Sequence, residues 1–243
     1  MTQLSINLNK VALLRNQRDI GYPDVLEAGR TILKAGADGL TVHPRPDERH
    51  TRRADVLALA QMIRQEAPDK ELNVEGYPSP DFIDLIAKAR PDQITLVPDP
   101  PDARTSDTGW DVIGEGAFLS LVIAKIKTSG GRVSLFIEAD PRLAAAAAST
   151  GTDRIELYTG PYAFARQAGE PDGLKRYAQA AQTFAEAGLG VNAGHDLNLT
   201  NLTDFCAAVR PLNEVSIGHA FTADALARGW VATVHAYREA LAS

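Results

Sequence analysis

The sequence predicts an α/β protein, a single-domain (β/α)8 TIM barrel over residues 1–243, and three observations carry that expectation. Eight short apolar runs alternate with longer amphipathic segments along the whole chain. Several of those segments end in glycine just before the next run, in "KAGADG", "TSGGR" and "AEAGLG". No proline-rich linker divides the chain, and its length is close to the roughly 250 residues of one barrel. A glycine just past a helix supplies the left-handed turn that aims the chain into a strand. Repeating that joint implies parallel strands with crossover helices. An open doubly wound sheet would place G-x-G-x-x-G after its first strand, and "NLNKVALLRN" contains none.

In chain order the strand candidates are "QLSINL" (3–8), "GLTVH" (39–43), "ELNVE" (71–75), "QITLV" (93–97), "RVSLFIE" (132–138), "RIELY" (154–158), "LGVNA" (189–193) and "EVSIG" (214–218). Helix candidates lie at 24–36, 55–67, 79–90, 114–130, 140–151, 173–188 and 201–209, where apolar residues recur at three and four. "TADALARG" and "VATVHAYREAL" continue that pattern to the end of the chain. "AAAAA" (144–148) reads as a helix-favouring face. The stretch "PDPPDARTSDTGWD" (98–111) is dense in turn residues, and composition leaves two readings open: a surface loop, or an ordered lid beside a site.

Bulk chemistry narrows the function classes. With 44% hydrophobic and 23% charged residues the chain has the composition of a globular protein. A net charge of −6 argues against nucleic-acid or anionic-membrane partners, so any anion site must be a local cluster. Cys206 is the single cysteine, in the apolar "DFCAAV", and reads as a buried structural thiol. No signal peptide and no membrane span are expected, and a cytoplasmic location follows.

A barrel places chemistry on the loops after its strand ends. Four of the five histidines fall there: His43, His50, His195 and His219; His235 sits on the last helix. Asn7, Asn9 and Lys10 follow the first run, with Arg15 and Arg18 beyond. Arg45 joins His43 and His50 after the second; Thr105 and Ser106 lie beyond the fourth; Glu138 and Asp140 close the fifth; Asn192 ends the seventh. Glu75 and Glu156 stand inside otherwise apolar runs. Pointing inward they would lose hydration and rise toward general-base range; pointing outward they would be ion-pair partners. Lys10, Arg18, Arg45 and His50 suit phosphate, as does "SIGHA" before a helix, where Gly218 lets backbone N–H groups approach an anion.

Taken together, "NLNKVALLRNQR", "GADGLTVHPRPDERH", "LNVEG", "QITLVP", "RVSLFIEAD", "RIELYTGPYA", "GLGVNAGHDL" and "EVSIGHA" resemble the pyridoxine 5′-phosphate synthase family, nearly end to end and in family order. The resemblance implies a barrel with extra helices, assembled as a homo-oligomer, an octamer built from dimers. It implies condensation of 3-amino-2-oxopropyl phosphate with 1-deoxy-D-xylulose 5-phosphate to pyridoxine 5′-phosphate, phosphate and water, with no metal and no organic cofactor. By position, His43 and Glu75 match the family's catalytic acid/base groups, His195 its proton donor, and Glu156 the carboxylate that stabilises the transition state. Asn7, Arg18, Gly218, His219 and the backbone of Asp196 match contacts to the aminoketone phosphate; Arg45, His50 and Thr105 match contacts to the deoxyxylulose phosphate. Two positions depart from the family pattern: Asn9-Lys10 stands where many members have Asp-His, and Asp196 where they have glycine.

Three other readings compete. A metal-dependent barrel hydrolase would use His43, His50, Glu75 and His195, but the first strand lacks the closely spaced histidines such sites want. A non-catalytic or divergent barrel that binds phosphorylated sugars is suggested only by Asn9 and Lys10. Another sugar-phosphate lyase or epimerase shares the scaffold and is opposed only by the motif set.

Overall fold

The computed structural model describes residues 1–99, 106–170 and 173–242. Eight parallel strands close into a barrel in sequence order. They are β1 (Gln3–Asn7), β2 (Gly39–Val42), β3 (Glu71–Gly76), β4 (Gln93–Leu96), β5 (Arg132–Ile137), β6 (Arg154–Tyr158), β7 (Gly190–Gly194) and β8 (Glu214–Ile217). Every strand expected from the sequence is present, each end within one residue of its expected position. Around them stand α1 (Asn9–Asn16), α2 (Val25–Lys34), α3 (Arg53–Glu66), α4 (Pro80–Ala89), α5 (Gly116–Lys127), α6 (Ala144–Ser149), α7 (Gly160–Gln167), α8 (Gly173–Glu186), α9 (Leu202–Ala208), α10 (His219–Arg228) and α11 (Trp230–Ala242).

The glycine joints act as expected. Gly36, Gly130 and Gly188 adopt positive φ of 112°, 93° and 84°, which closes α2, α5 and α8 and turns the chain into the next strand. Helices α1 and α7 were not anticipated from the sequence. The first follows β1 after a single residue, so its apolar residues merge with the strand's run. The second opens on Gly160-Pro161, which reads as a turn but also suits a helix start, where the missing N–H of proline is not needed.

Along each strand the side chains alternate. Leu4, Ile6, Leu40, Val42, Leu72, Val74, Ile94, Leu96, Val133, Leu135, Ile155, Leu157, Val191 and Val215 are fully buried and form the core beneath the helices. Burying each such side chain stabilises the fold by about 1.5–3 kcal/mol. The alternate positions are mostly polar, Phe136 on β5 being an exception, and several bond to one another inside the barrel. Ser5 and Thr41 hydroxyls meet at 2.7 Å, and Thr95 Oγ1 donates to Asn73 Oδ1 at 3.0 Å. Gln93 Nε2 reaches across from β4 to Glu214 Oε1 on β8, and Asn192 Nδ2 reaches from β7 to Gln93 Oε1, both at 3.2 Å. Asn192 therefore belongs to the barrel interior and not to the mouth, because its inward register leaves it deeper than Gly194. This polar filling satisfies most of these buried amides and hydroxyls among themselves, the Ser134 hydroxyl on β5 being left without a partner among the described residues.

Candidate active site

At the C-terminal mouth of the barrel lies a cavity of about 380 Å³. Asn7, Asn9, Lys10, His43, Arg45, His50, Glu75, Ser106, Glu156, His195, Asp196, Ser216, Gly218 and His219 line it.

The loop after β2 is held from α1. Asn9 Oδ1 accepts from the His43 backbone N–H and from Thr51 Oγ1, both at 2.9 Å, so one amide pins both ends of the loop. Asn16 Nδ2 donates to the carbonyls of Glu48, Arg49 and His50, the last at 2.8 Å. Arg15 grips Asp55 at the start of α3 with two bonds, at 2.6 and 2.9 Å. The pair is largely buried, so Arg15→Met is expected to lower stability by about 3 kcal/mol, by leaving Asp55 unpaired. Thermal unfolding checks the loss; a variant as stable as the parent would show the pair to be dispensable.

Glu75 projects from β3 and His43 follows β2. Their side chains are 3.8 Å apart, and Asn7 Nδ2 lies 3.5 Å from the same carboxylate oxygen. Burial, helped by the charges of Asp99 and Glu214, pushes Glu75 up to about 8 against the pull of Arg45. Burial and the positive Arg45 push His43 well below the usual imidazole range. At neutral pH this pair is a carboxylic acid beside a neutral imidazole rather than an ion pair.

A second pair repeats the chemistry. Glu156 on β6 is 1% exposed, and its Oε1 lies 3.8 Å from His195 Nδ1. Burial, with Glu75 and Glu214 nearby, holds Glu156 well above the carboxylate range; burial lowers His195. Glu156 Oε2 and His195 Nδ1 are buried without a hydrogen-bond partner among the described residues. The His195 ring packs on Phe136 and Tyr158, with centroids 4.8 and 5.9 Å away. Its backbone is left-handed at φ 76°, followed by Asp196 at φ 59°. Aspartate tolerates that region, so the turn survives without the family's glycine. Thr159 Oγ1 donates to the Gly194 and His195 carbonyls, and Asn201 Nδ2 holds the Asp196 carbonyl at 3.2 Å, which locks the turn.

Cationic and N–H-donating groups flank β1. On the β2 side are Arg45, His50 and, from α1, Lys10. Thr51 N–H donates to His50 Nδ1 at 2.9 Å, so Nε2 carries the proton of the neutral ring. Burial, Arg45 and Lys10 lower His50 to about 4, which keeps it a neutral donor at pH 7. On the β8 side, α10 begins at His219 with Gly218 as its cap. Its first backbone N–H groups have no helical acceptor and meet the pocket beside His219.

Of the residues expected from the sequence, Asn7, His43, Arg45, His50, Glu75, Glu156, His195, Asp196, Gly218 and His219 share this one cavity. Arg18 stands exposed beyond α1 and does not line it. Thr105 lies outside the described residues. Asp140 caps the turn after β5 and pairs with Arg142 instead. Sequence reasoning missed Asp99, which holds Arg45, and Ser216. Alternation along "EVSIG" was the available signal for Ser216, which shares the inward face with Glu214 and Gly218. Among the described residues no group of three or more His, Cys, Asp or Glu side chains is arranged to hold a metal ion.

Comparison with known proteins gives two levels of likeness. Phosphoribosyl anthranilate isomerase from Thermotoga maritima superposes with a TM-score of 0.64 at 14% identity, over 99% of this chain and 98% of that one. A 3-keto-L-gulonate-6-phosphate decarboxylase from Vibrio cholerae gives the same score at 14% identity, over 99% and 97%. Those likenesses show the barrel alone. The chain is 50% identical over 234 residues to a pyridoxine 5′-phosphate synthase of Mesorhizobium japonicum, covering 96% of this chain and 95% of that protein. It is 48% identical over 241 residues to one of Bacteroides thetaiotaomicron, covering 99% and 100%. With a family model matching residues 4–243 as well, the chain belongs to the family of the pyridoxal phosphate biosynthesis protein PdxJ.

Proposed function

We infer that this chain is a pyridoxine 5′-phosphate synthase that joins 3-amino-2-oxopropyl phosphate to 1-deoxy-D-xylulose 5-phosphate and closes the pyridine ring. Family membership supports the reading. The observation that carries it here is two carboxyl–imidazole pairs facing one cavity, with Lys10, Arg45 and His50 on one side of it and the start of α10 on the other.

The reaction needs several proton transfers and no single nucleophile. An amine adds to a ketone and water leaves; a C–H proton is then removed, water and phosphate depart, and the ring closes. A neutral imidazole accepts protons and a neutral carboxylic acid donates them, so His43 and Glu75 are set for both halves of the condensation without outside charge. Arrival of phosphate dianions raises the proton affinity of nearby imidazoles. His195, beside the Glu156 carboxyl, then becomes the acid that protonates the departing group. Glu156, protonated in the free enzyme, gives up its proton as positive charge develops on the substrate nitrogen, and the carboxylate so formed balances that charge.

Arg45 and His50 take the deoxyxylulose phosphate, and Lys10 adds a cation where the family usually has histidine. Asn7, Gly218, His219 and the Asp196 backbone take the aminoketone phosphate at the start of α10. Arg18 and Thr105 remain in this assignment on the resemblance alone. A cytoplasmic homo-oligomer, an octamer built from dimers, belongs to the same reading. Exposed Leu14 on α1, Ile20 and Tyr22 between α1 and α2, and Leu226 and Val231 on α10 and α11, support burial against other copies.

The direct test mixes the protein with both substrates, without added metal or cofactor, and measures pyridoxine 5′-phosphate and released phosphate. One phosphate per pyridoxine phosphate is the expected yield. No product, under conditions where the Mesorhizobium japonicum relative forms it, refutes the reading.

A further inference from the structure

Asp99 follows β4 by three residues, in the proline-rich "LVPDPP". It is 8% exposed, and its Oδ2 accepts Arg45 Nη2 at 2.5 Å and Ser106 Oγ at 2.5 Å. The Arg45 side chain makes no other hydrogen bond among the described residues. The contrast with Arg15 is instructive. Arg15 grips Asp55 with both terminal nitrogens, as Arg30 grips Glu66 through Nε and Nη2 at 2.8 and 2.9 Å. Those are closed, two-toothed pairs of a structural kind. Arg45 gives Asp99 a single donor and keeps the rest of its fork for a ligand.

Arg45 lines the same cavity as Glu75. That carboxyl faces Asn7 from β1, His43 and Arg45 from the loop after β2, Asp99 from the loop after β4, Glu156 from β6 and Glu214 from β8. Arg45 and Asp99 act on it with opposite signs. Either charge alone would drive the Glu75 proton equilibrium strongly one way in a buried site.

We propose that Asp99 is a positioning residue for the reaction, the resident counter-anion that holds the Arg45 guanidinium by one donor and balances its charge beside Glu75. This rests on Arg45 and Glu75 having the substrate roles assigned above. When a substrate phosphate reaches Arg45 it replaces Asp99 as the dominant partner without dismantling a closed pair.

The test follows the Glu75 carboxyl carbon by NMR in protein labelled at glutamate, with Glu75→Gln assigning the signal. This readout does not need turnover, so it stands even if the proposed reaction is not observed. Asp99→Asn is expected to lower the Glu75 midpoint by about one pH unit, because a like charge goes and Arg45 is left unbalanced. Arg45→Gln is expected to raise it by about one unit. The double variant removes both charges and is expected within about half a unit of the parent. It also covers the case in which Asp99→Asn alone unfolds the protein through an unpaired Arg45. In turnover with both substrates, Asp99→Asn is expected to lower kcat about tenfold and to lower KM for the deoxyxylulose phosphate, since a competing anion is gone. Asp99→Glu is expected to restore the midpoint and most of kcat. A midpoint unmoved in Asp99→Asn, or a double variant that titrates with Arg45→Gln, overturns the proposal.

Discussion

Glu75→Gln is expected to cut turnover by roughly a thousandfold, and at the same time to make the protein more stable at neutral pH. Loss of turnover follows from the position of the carboxyl, 3.8 Å from His43 in the reaction cavity, where glutamine keeps the shape and cannot exchange a proton. The gain in stability follows from linkage. In the folded protein Glu75 titrates at about 8, against an ordinary value of 4.5. Between those values the unfolded chain releases a proton that the folded chain retains, so stability is full below pH 4.5 and is lost as pH rises toward 8. Glutamine removes that loss, which is worth about 3 kcal/mol at pH 7. Thermal unfolding of both proteins at pH 4 and pH 7 checks the sign: the gain should appear at pH 7 and vanish at pH 4. Near-normal turnover would remove Glu75 from proton transfer. A loss of stability at pH 7 would mean that the buried carboxyl is ionised and held.

Gly194→Ala should be nearly as damaging to activity for a steric reason. A Cβ at Gly194 would stand 2.3 Å from Glu156 Oε1 and 3.5 Å from the Ser216 carbonyl. Glu156 is enclosed in the barrel and has little room to retreat, and the next residue is His195 in its left-handed turn. The added methyl therefore displaces one carboxyl–imidazole pair as a unit. Turnover is expected to fall about a hundredfold, the usual consequence of an ångström-scale misplacement of catalytic groups. Overpacking is expected to lower stability by about 1–3 kcal/mol. Gly116→Ala is the control: its Cβ meets nothing within 4 Å at the start of α5, and its stability should stay within about 0.5 kcal/mol of the parent. Wild-type turnover in Gly194→Ala would mean that the Glu156–His195 spacing is not used.

The eight strands were legible because apolar runs repeat eightfold with helix-closing glycines at several of the joints, and parallel strands with crossover helices have one compact closed form at this length. The same logic places His43 and His195 at one mouth and leaves Glu75 and Glu156 free to point into it or away from it; closure of the barrel turns both inward. Helix α1 was not legible, since its apolar side chains directly continue those of β1; yet Asn9, Arg15 and Asn16 on it hold the loop carrying His43, Arg45 and His50. Asp99 was not legible either. An acid among prolines reads as a solvated turn, and its burial is created by an arginine 54 residues away.

Charge state separates what each level of description determined. The sequence by itself determined the barrel, the family and the residue types gathered at its mouth, because periodicity, cap residues and motif order are local properties of the chain. Only the tertiary structure decided that Glu75 and Glu156 are pushed toward the protonated form and His43 and His195 toward the neutral one. Proton affinity depends on lost hydration and on neighbouring charges, and both are supplied by strands far apart in sequence that closure of the barrel brings together.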